Sequence, residues 1–531
     1  MAVLWRQDDR TSPNRIWLFT VILSALMMPW AQASDELFDR FTVDIGVVQH
    51  PTVLTAFLQA GEVADIVVLS VKGLRREVSV YGFNDQGWQR HFDVPLPPET
   101  HFVDIATVNE QEYLIAYVAD RILRLDLTTQ SFQTLVTVPT TFHARRDPAL
   151  LRIHVARDLN GNGRDDLVMP DVDGFWISLQ SPDGSFSSPV KVGPPEPFRE
   201  HYMYGDKQSY GVAGITTQTL PWYLSRLKVA DITGNGLVDL VFWERDRFLF
   251  YPQRGDGSFE SDPLSLELNA PFDAVGMYTV AFEFKENLFR LATGLRRKTR
   301  TTVLMDIKDV TGDGVPDLTT VTLRGRSVFR LKSSIRVHRG RRTETGLRFD
   351  GDATEIAPDY KGTAWTYSNV SVHDSHEGPS LMMYINVPTD IGQFYRIIVR
   401  KTMSLHLAIY RFDQEESTSV RTMKIKPTYD SAARKGPFFP ATLLGDVTGN
   451  GHLDLLVGDS WNTLHVYAGT RGEMSFAETP IPVTVSMTSN ENNTRLVSLT
   501  REARKGLLVE HFSEAPSDAS RLEVLLPVQW R

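Results

Sequence analysis

One nine-residue stretch occurs four times in the chain and places oxygen-bearing side chains at its first, third, fifth and ninth positions. The copies begin at Asp158, Asp231, Asp309 and Asp446. Ca²⁺ binds six to eight oxygens at roughly 2.3–2.6 Å, and a tight loop can supply them when alternate side chains turn inward. The repeat therefore predicts four loops that each bind a hard cation such as Ca²⁺.

We expect the ligands of each loop to be the side chains at positions one, three, five and nine, with the backbone carbonyl at position seven. These residues are Asp158, Asn160, Asn162, Arg164 and Asp166; Asp231, Thr233, Asn235, Leu237 and Asp239; Asp309, Thr311, Asp313, Val315 and Asp317; and Asp446, Thr448, Asn450, His452 and Asp454. An EF-hand begins in a similar way, but it needs a Glu at its twelfth position and a helix on each side. The twelfth positions hold Met169, Phe242, Thr320 and Val457, which excludes an EF-hand.

The residues around each loop are typical of β-strands. Apolar and β-branched residues follow the first loop at Leu167–Met169, and similar residues precede it at Leu151–Val155. Each loop is therefore predicted to join two strands. For a single copy, a hairpin turn without metal is the alternative, because Gly, Asn and Asp are favoured in turns. Four copies with the same spacing favour metal binding.

The pattern D-x-[N/T/D]-G-[N/D]-G-x-x-D-L, followed by an apolar strand, resembles the FG-GAP/VCBS repeat of integrin-α-like β-propellers and secreted bacterial proteins. The segments 183–186 and 256–259, both Asp-Gly-Ser-Phe, resemble the turn into the last strand of such a repeat. The literal F-G…G-A-P signature is absent, so the resemblance is to the bacterial VCBS-like form. This resemblance implies a calcium-binding propeller blade for each repeat.

The strand pattern predicts an all-β propeller of eight blades, with seven as the alternative, over residues 34–531. Four blades carry calcium-binding loops. The loop spacings of 73 and 78 residues exceed a minimal blade and predict insertions near 193–225 and 266–300. The 137 residues from Asp309 to Asp446 require a unit without a loop, which we assign to strands at 394–399 and 405–410. An isolated strand at 41–48 is predicted to complete the last blade, since propellers close in this way.

The N-terminus predicts export from the cytoplasm. Three arginines precede the apolar run 16–28, and Ala31-Gln32-Ala33 follows, so residues 1–33 resemble a signal peptide cleaved before Ser34. The run is short of the ~20 residues that span a bilayer, and we expect no transmembrane segment in the mature chain. The chain has no cysteine, so it forms no disulfide. Its net charge of −9 makes nucleic acid a poor partner. We expect it to be secreted, periplasmic or associated with the cell surface.

The function predicted from the sequence is that of a non-enzymatic binding or scaffold module for a protein or carbohydrate ligand. The aromatic segment 198–223 and the basic residues between 296 and 342 are candidate contact surfaces, although rings packed on their own blade and solvated edge strands would explain them too. A propeller hydrolase or lyase that acts on polysaccharide is the alternative, because propeller enzymes assemble carboxylate pairs from distant blades. No nucleophile elbow, phosphate loop or dinucleotide fingerprint is present. The sequence therefore leaves an enzyme open but favours a binding module.

Overall fold

The computed structural model describes residues 37–528 apart from 73–74, 141–149, 153, 172–173, 194–226, 244–246, 269–298, 326–331, 345, 357–361, 364–369, 376–377, 389–390, 397–398, 400–403, 413–416, 426–440, 471–474, 489–492 and 513–519. The predicted signal peptide and nearly all of the two predicted insertions lie outside the described residues.

The first strand, β1 (Phe38–Gly46), belongs to a sheet that the C-terminus completes. Sheet 1 contains β2 (Gln49–Ala56), β3 (Asp65–Lys72), β4 (Arg75–Asn84) and β5 (Gly87–Pro95). Sheet 2 contains β6 (Thr100–Val108), β7 (Gln111–Val118), β8 (Arg121–Asp126), β9 (Ser131–Thr137) and β10 (Leu151–Arg152), and the last of these pairs in parallel with β6. Sheet 3 contains β11 (Ala156–Arg157), β12 (Asp166–Asp171), β13 (Gly174–Ser178) and β14 (Val190–Val192).

Three further sheets follow in chain order. Sheet 4 contains β15 (Leu227–Ala230), β16 (Asp239–Trp243), β17 (Arg247–Tyr251) and β18 (Leu264–Glu267). Sheet 5 contains β19 (Thr299–Lys308), β20 (Asp317–Gly325) and β21 (Lys332–His338), then a separate hairpin of β22 (Gly340–Thr343) and β23 (Gly346–Phe349), and finally β24 (Thr354–Ile356). Sheet 6 contains β25 (Gly362–Thr363), β26 (Val370–Ser375), β27 (Gly378–Pro388), β28 (Leu405–Phe412) and β29 (Ser417–Ile425), with the short helix α1 (Ile391–Tyr395) between β27 and β28.

The last part of the chain forms sheet 7 and the closing sheet. Sheet 7 contains β30 (Thr442–Gly445), β31 (Asp454–Ser460), β32 (Thr463–Tyr467) and β35 (Ile481–Thr484), with a small hairpin of β33 (Gly469–Thr470) and β34 (Ser475–Phe476). The closing sheet has the order β1, β38 (Ser520–Pro527), β37 (Gly506–His511) and β36 (Thr494–Val497). The antiparallel register runs from Phe38 opposite Pro527 to Gly46 opposite Ser520.

The strands are apolar on both faces because each sheet is covered on both sides. In β3, four consecutive residues from Ile66 to Leu69 are buried. One alternate set, Ile66 and Val68, packs in a core with the closing sheet, whereas Val67 and Leu69 pack in a core with sheet 2. Sheets covered on both faces have near-continuous apolar runs in their strands. These runs therefore reflect stacking of each sheet between two neighbours.

Hydrophobic cores join the sheets in chain order and return to the start. One core links sheets 2, 3 and 4, a second links sheets 4 and 5, and a third links sheets 5 and 6. Strand β29 of sheet 6 contacts β34 beside sheet 7. A further core joins sheet 7 to the closing sheet, which packs on sheet 1. The chain is thus an all-β propeller.

Several predictions can be compared with this architecture. The all-β propeller is confirmed, and the described residues support seven blades, the alternative to the predicted eight, each built from one continuous stretch. The predicted pairing of the N-terminal strand with the last strand is also confirmed, with the strand at Phe38–Gly46. The prediction of a strand at 394–399 is wrong at its start, because residues 394 and 395 belong to the helix Ile391–Tyr395, and residues 397–398 lie outside the described part of the chain. Within the part of the chain that the structure describes, no helix is long and apolar enough to cross a membrane.

Candidate metal-binding loops

The four loops occupy the same position in four blades. They connect the first and second strands of sheets 3, 4, 5 and 7, and the ninth residue of each loop is the first residue of the second strand. Because equivalent connections lie on the same side of a propeller, the loops share one face of the ring. The first residue is half-buried, the fifth is exposed and the ninth is buried in every copy.

Glycines give the loops their tight turns. The fourth and sixth residues of all four loops are glycines with φ between +73° and +82°. Residues with a Cβ rarely adopt this left-handed region. A Cβ added at the sixth position, at Gly163, Gly236, Gly314 or Gly451, would meet no atom within 4 Å. The backbone angle, and not a lack of space, therefore requires glycine there.

The first carboxylate of each loop accepts hydrogen bonds from amides of its own turn. One oxygen accepts from the sixth residue: Gly163 to Asp158 (2.7 Å), Gly236 to Asp231 (3.1 Å), Gly314 to Asp309 (2.7 Å) and Gly451 to Asp446 (2.9 Å). The other oxygen accepts from the fourth or fifth residue at 2.6–3.2 Å. The side-chain oxygen at position five accepts the amide of position seven at 2.8–2.9 Å in all four copies. The side chains of positions one and five thus hold the turn.

The ninth carboxylate ties the loop to a distant part of its own blade. One oxygen accepts the amide of the second residue: Leu159 to Asp166 (3.1 Å), Ile232 to Asp239 (2.9 Å), Val310 to Asp317 (2.9 Å) and Val447 to Asp454 (2.8 Å). The other oxygen accepts an amide 14 to 23 residues later: Gln180 to Asp166, Gln253 to Asp239, Gly340 to Asp317 and Gly469 to Asp454, at 2.7–3.0 Å. The sequence alone did not predict this second contact. Gln180 and Gln253 each lie three residues before an Asp-Gly-Ser-Phe turn, and this shared position is the sequence feature that could have indicated the contact.

These ninth carboxylates are fully buried, which makes their negative charge costly. All four have no exposed surface. Burial raises the pKa of Asp166 to about 6, and it also raises the pKa values of Asp317 and Asp454 above the usual range of an aspartate. The amide hydrogen bonds favour the charged form but do not outweigh burial. A nearby cation would stabilise these ionised carboxylates.

The donor set fits a hard cation. Every candidate ligand offers oxygen, and an ionised carboxylate has about four lone-pair sites, so the observed hydrogen bonds leave acceptor capacity. Among the described residues, no group of three or more His, Cys, Asp or Glu side chains is placed to hold a metal ion. An ion in these loops would therefore need the Asn, Thr and carbonyl oxygens as well as the carboxylates, which is a mixture that Ca²⁺ accepts.

Among the described connections of blades without the loop, the one in sheet 1 keeps an aspartate at the ninth position. Asp65 begins β3, and its two oxygens accept the backbone amide of Gln59 (3.0 Å) and the side-chain amide of the same residue (2.8 Å). Phe57 occupies the position of the first loop aspartate. In sheet 2, the connection is shortened to Asn109 and Glu110, both with positive φ. Neither connection offers the set of oxygen ligands found in the four loops.

The other candidate surfaces are only partly described. The aromatic segment 198–223 lies outside the described residues, as do residues 296–298 of the basic zone. Within the described part, Arg336 pairs with Glu355 (3.0 Å) and Arg341 with Asp350 (2.8 Å). These members of the basic zone have carboxylate partners within the fold, which favours a structural role over the recognition of an anionic ligand.

No family model matches the chain, and no curated protein matches it. Several solved structures are similar at low identity. A lectin from Agrocybe aegerita that recognises non-reducing terminal N-acetylglucosamine is 13% identical, over 81% of this chain and 91% of that chain, with a TM-score of 0.35. The WD40 domain of SCAP from fission yeast is 10% identical, over 93% and 95%, with a TM-score of 0.37. The exotype rhamnogalacturonan lyase YesX is 11% identical, over 91% and 72%, with a TM-score of 0.28. These values establish no family and carry no argument about function.

Proposed function

We propose that this chain is an exported, calcium-stabilised β-propeller of the FG-GAP/VCBS type that binds a protein or carbohydrate ligand without enzymatic activity. We count the closing sheet as an eighth blade of the ring. The calcium proposal rests on the hydrogen bonds of the loops. In all four copies the fully buried ninth carboxylate accepts the amide of the second residue, and the same loop carries exposed side-chain oxygens that could bind an ion.

The loop residues would hold the ion and fix the strands on either side. Ca²⁺, when bound, supplies a positive charge that compensates the negative charge of the buried ninth carboxylate. The first carboxylate holds the turn through its amide hydrogen bonds, and the ninth joins the first strand to the second. The loop at Asp309 has three carboxylates where each of the others has two, so we expect it to bind Ca²⁺ most tightly.

Buried carboxylates outside the loops favour a binding module over an enzyme. Within the described residues, Asp104 contacts Arg152 and His154, and Glu510 contacts Arg495 at 2.7 Å. These acids are therefore engaged by basic side chains of the fold. A glycoside hydrolase instead needs two carboxyl groups about 5–10 Å apart that flank the bond to be cleaved.

Calcium titration and thermal melting test the proposal. A ligand at 100 times its Kd stabilises the folded state by about 2.7 kcal/mol for each independent site, so chelation should lower the melting temperature strongly. Asp309→Ala should remove the tightest binding phase. The matched control is Asp126→Ala, since Asp126 is, like Asp309, a half-buried aspartate that accepts turn amides, in a blade without the loop. Unchanged melting in chelator, together with no heat of calcium binding, would refute calcium stabilisation.

Ligand binding and export need separate measurements. A screen against glycans and surface proteins, run with and without Ca²⁺, should identify a ligand that is bound but not converted. Release of shortened polysaccharide would instead support the hydrolase or lyase. N-terminal sequencing of the exported chain should begin at Ser34, and a mature chain that retains residues 1–33 would contradict the signal peptide.

A further inference from the structure

Within the described residues, two of the four loops are contacted by an arginine from the next sheet in the ring. Arg342, in β22 beside sheet 5, donates from Nη1 to the Ile232 carbonyl (2.6 Å) and from Nη2 to the Asp231 carbonyl (2.5 Å). Its Nη2 also lies 3.2 Å from Oδ2 of Asp231. A guanidinium therefore contacts both the first carboxylate and the first two carbonyls of the loop in sheet 4.

Arg504 makes the corresponding contact with the loop of sheet 7. It lies between β36 and β37 of the closing sheet and is 6% exposed. Its Nε donates to the Val447 carbonyl (2.6 Å), which is the second carbonyl of the loop, as Ile232 is in sheet 4. Its Nη2 donates to the Leu37 carbonyl (3.0 Å). The charges of Asp446 and Asp454 both act on this guanidinium.

The fourth glycine of these two loops leaves room for the arginine. A Cβ added at Gly234 would lie 3.0 Å from Nη1 of Arg342, and one added at Gly449 would lie 3.2 Å from Cδ of Arg504. At Gly161, in the loop of sheet 3, the nearest atom would be a Val238 methyl at 3.8 Å. Close approach of the arginine is thus built into two loops and absent from that third loop.

A neutral side chain makes the comparable contact with the loop of sheet 3. Gln253 of sheet 4 donates from Nε2 to the Asn160 carbonyl (2.8 Å). Sheet 1 is similar, because Gln111 of sheet 2 donates to the Phe57 (2.6 Å) and Leu58 (3.1 Å) carbonyls. The contact from the next sheet is therefore a general feature of these blades, and the charge of the contacting side chain is what differs.

We propose that Arg342 and Arg504 are built-in counter-charges that hold the loops at Asp231 and Asp446 without an ion and weaken their affinity for Ca²⁺. The effect on affinity rests on the calcium binding proposed above. A guanidinium and Ca²⁺ repel each other. At an assumed separation of about 7 Å, the repulsion corresponds to roughly a tenfold change in affinity at the dielectric constant of water and to a larger change at that of a protein surface. The loop at Asp158 has a neutral glutamine in place of the arginine, so its order depends more on the ion.

Hydrogen exchange measured by mass spectrometry resolves the loops individually in the full mature chain. In chelator, the loops at 231–239 and 446–454 should have protection factors at least about tenfold higher than the loop at 158–166, because local opening free energy determines exchange. On addition of Ca²⁺, the loop at 158–166 should gain protection at a lower concentration. Arg504→Met should remove the ion-free protection of 446–454 and lower its calcium midpoint about tenfold.

Two further variants separate charge from packing. Arg342→Met should likewise lower the ion-free protection of the loop at 231–239 and lower its calcium midpoint. Unlike Arg504→Met, this variant does not remove the hydrogen bond from Arg504 to the Leu37 carbonyl. Gln253→Met removes a neutral contact, so the loop at 158–166 should lose protection without a fall in its calcium midpoint. Calcium midpoints that stay unchanged or rise in both arginine variants would overturn the proposal.

The wild-type chain distinguishes this proposal from the proposed function. If no loop gains protection with Ca²⁺, calcium binding itself is wrong, and so is the tuning of affinity. The ion-free exchange of Arg504→Met and Arg342→Met then still decides whether the arginines hold their loops. Equal ion-free protection in wild type and in both variants would overturn that part as well.

Discussion

Replacing Asp317 with asparagine tests whether the ninth loop residue works through both of its oxygens. One oxygen accepts the Val310 (2.9 Å) and Thr311 (3.0 Å) amides, and the other accepts the Gly340 amide (3.0 Å). Asparagine keeps the shape of the side chain but has only one acceptor atom. If its oxygen serves Val310 and Thr311, its NH₂ group faces the N–H of Gly340, and one buried donor loses its partner.

The expected cost follows from those contacts. A buried donor without a partner costs about 1–3 kcal/mol, and hydrogen bonds to a charged acceptor are worth about 1.5–3 kcal/mol where neutral ones are worth about 1 kcal/mol. Relief of burying a charge offsets part of this, because burial raises the pKa of Asp317. We therefore expect Asp317→Asn to lower the free energy of unfolding by about 2–3 kcal/mol in the absence of calcium.

Asp65→Asn is the matched control at the same position of a blade without the loop. Asp65 is also buried, at 3% exposure, but one of its oxygens accepts the side-chain amide of Gln59, and the other accepts the backbone amide of the same residue. That amide can rotate and offer its oxygen to the new NH₂ group, so no donor is left without a partner. We expect Asp65→Asn to cost less than about 1 kcal/mol.

Urea unfolding in chelator, followed by tryptophan fluorescence, measures both changes. Chelator is required because Ca²⁺ would add the loss of a ligand to the loss of a hydrogen bond. Midpoints should be compared only where the slopes agree, since the slope reports the surface exposed on unfolding. Equal shifts for the two variants would refute the reasoning, because the distinction rests only on the partner of the second oxygen.

Three other predictions follow from single features. Gly314→Ala should cost about 1–2 kcal/mol, because the residue has a φ of +82° although a Cβ there would meet no other atom. Gly255→Ala is the control, since its Cβ would also meet no atom but its φ is not positive, and it should be neutral or slightly stabilising in the same unfolding assay. Deletion of Phe38–Gly46 should expose the edge of β38, and light scattering should detect aggregation that the full mature chain does not show. Asp104→Asn should cost about 2–4 kcal/mol at pH 7. Burial opposes ionisation of Asp104, but the bonds from His154 and Ala156 and the charge of Arg152 outweigh it and lower its pKa, so the difference from wild type should shrink as pH falls below about 4.

Most of the features that the sequence predicted correctly are local ones. The loops were visible because glycines with positive φ and alternating oxygen donors recur at fixed spacing, and the strands after them are runs of apolar residues. Closure by the N-terminal strand followed from a count of strands, since the last unit lacked one. The start of the apolar segment 394–399 was misassigned because a short apolar run does not distinguish a strand from a helix, and Ile391–Tyr395 is helical.

Contacts between blades could not be predicted in the same way. Arg342 and Ile232 are 110 residues apart, and Arg504 and Val447 are 57 apart, so no local pattern connects them. Arg342 belongs to the basic residues between 296 and 342, and no motif in the sequence singled out Arg504. Which arginine reaches a loop depends on the stacking of adjacent sheets, and that information is absent from any single repeat.

The contacts between blades also explain how sheet 1 persists without the acidic loop. In sheet 1, Gln111 from the next sheet holds the carbonyls of Phe57 and Leu58 although the first aspartate is missing. Backbone carbonyls are present whatever the side chain, so a donor from the next sheet can order the connection without any ion. The ring therefore depends first on stacked apolar sheets and on these backbone contacts, and calcium would add stability one loop at a time. For this reason, loss of a single loop should weaken one blade without opening the ring, as long as the closing sheet is intact.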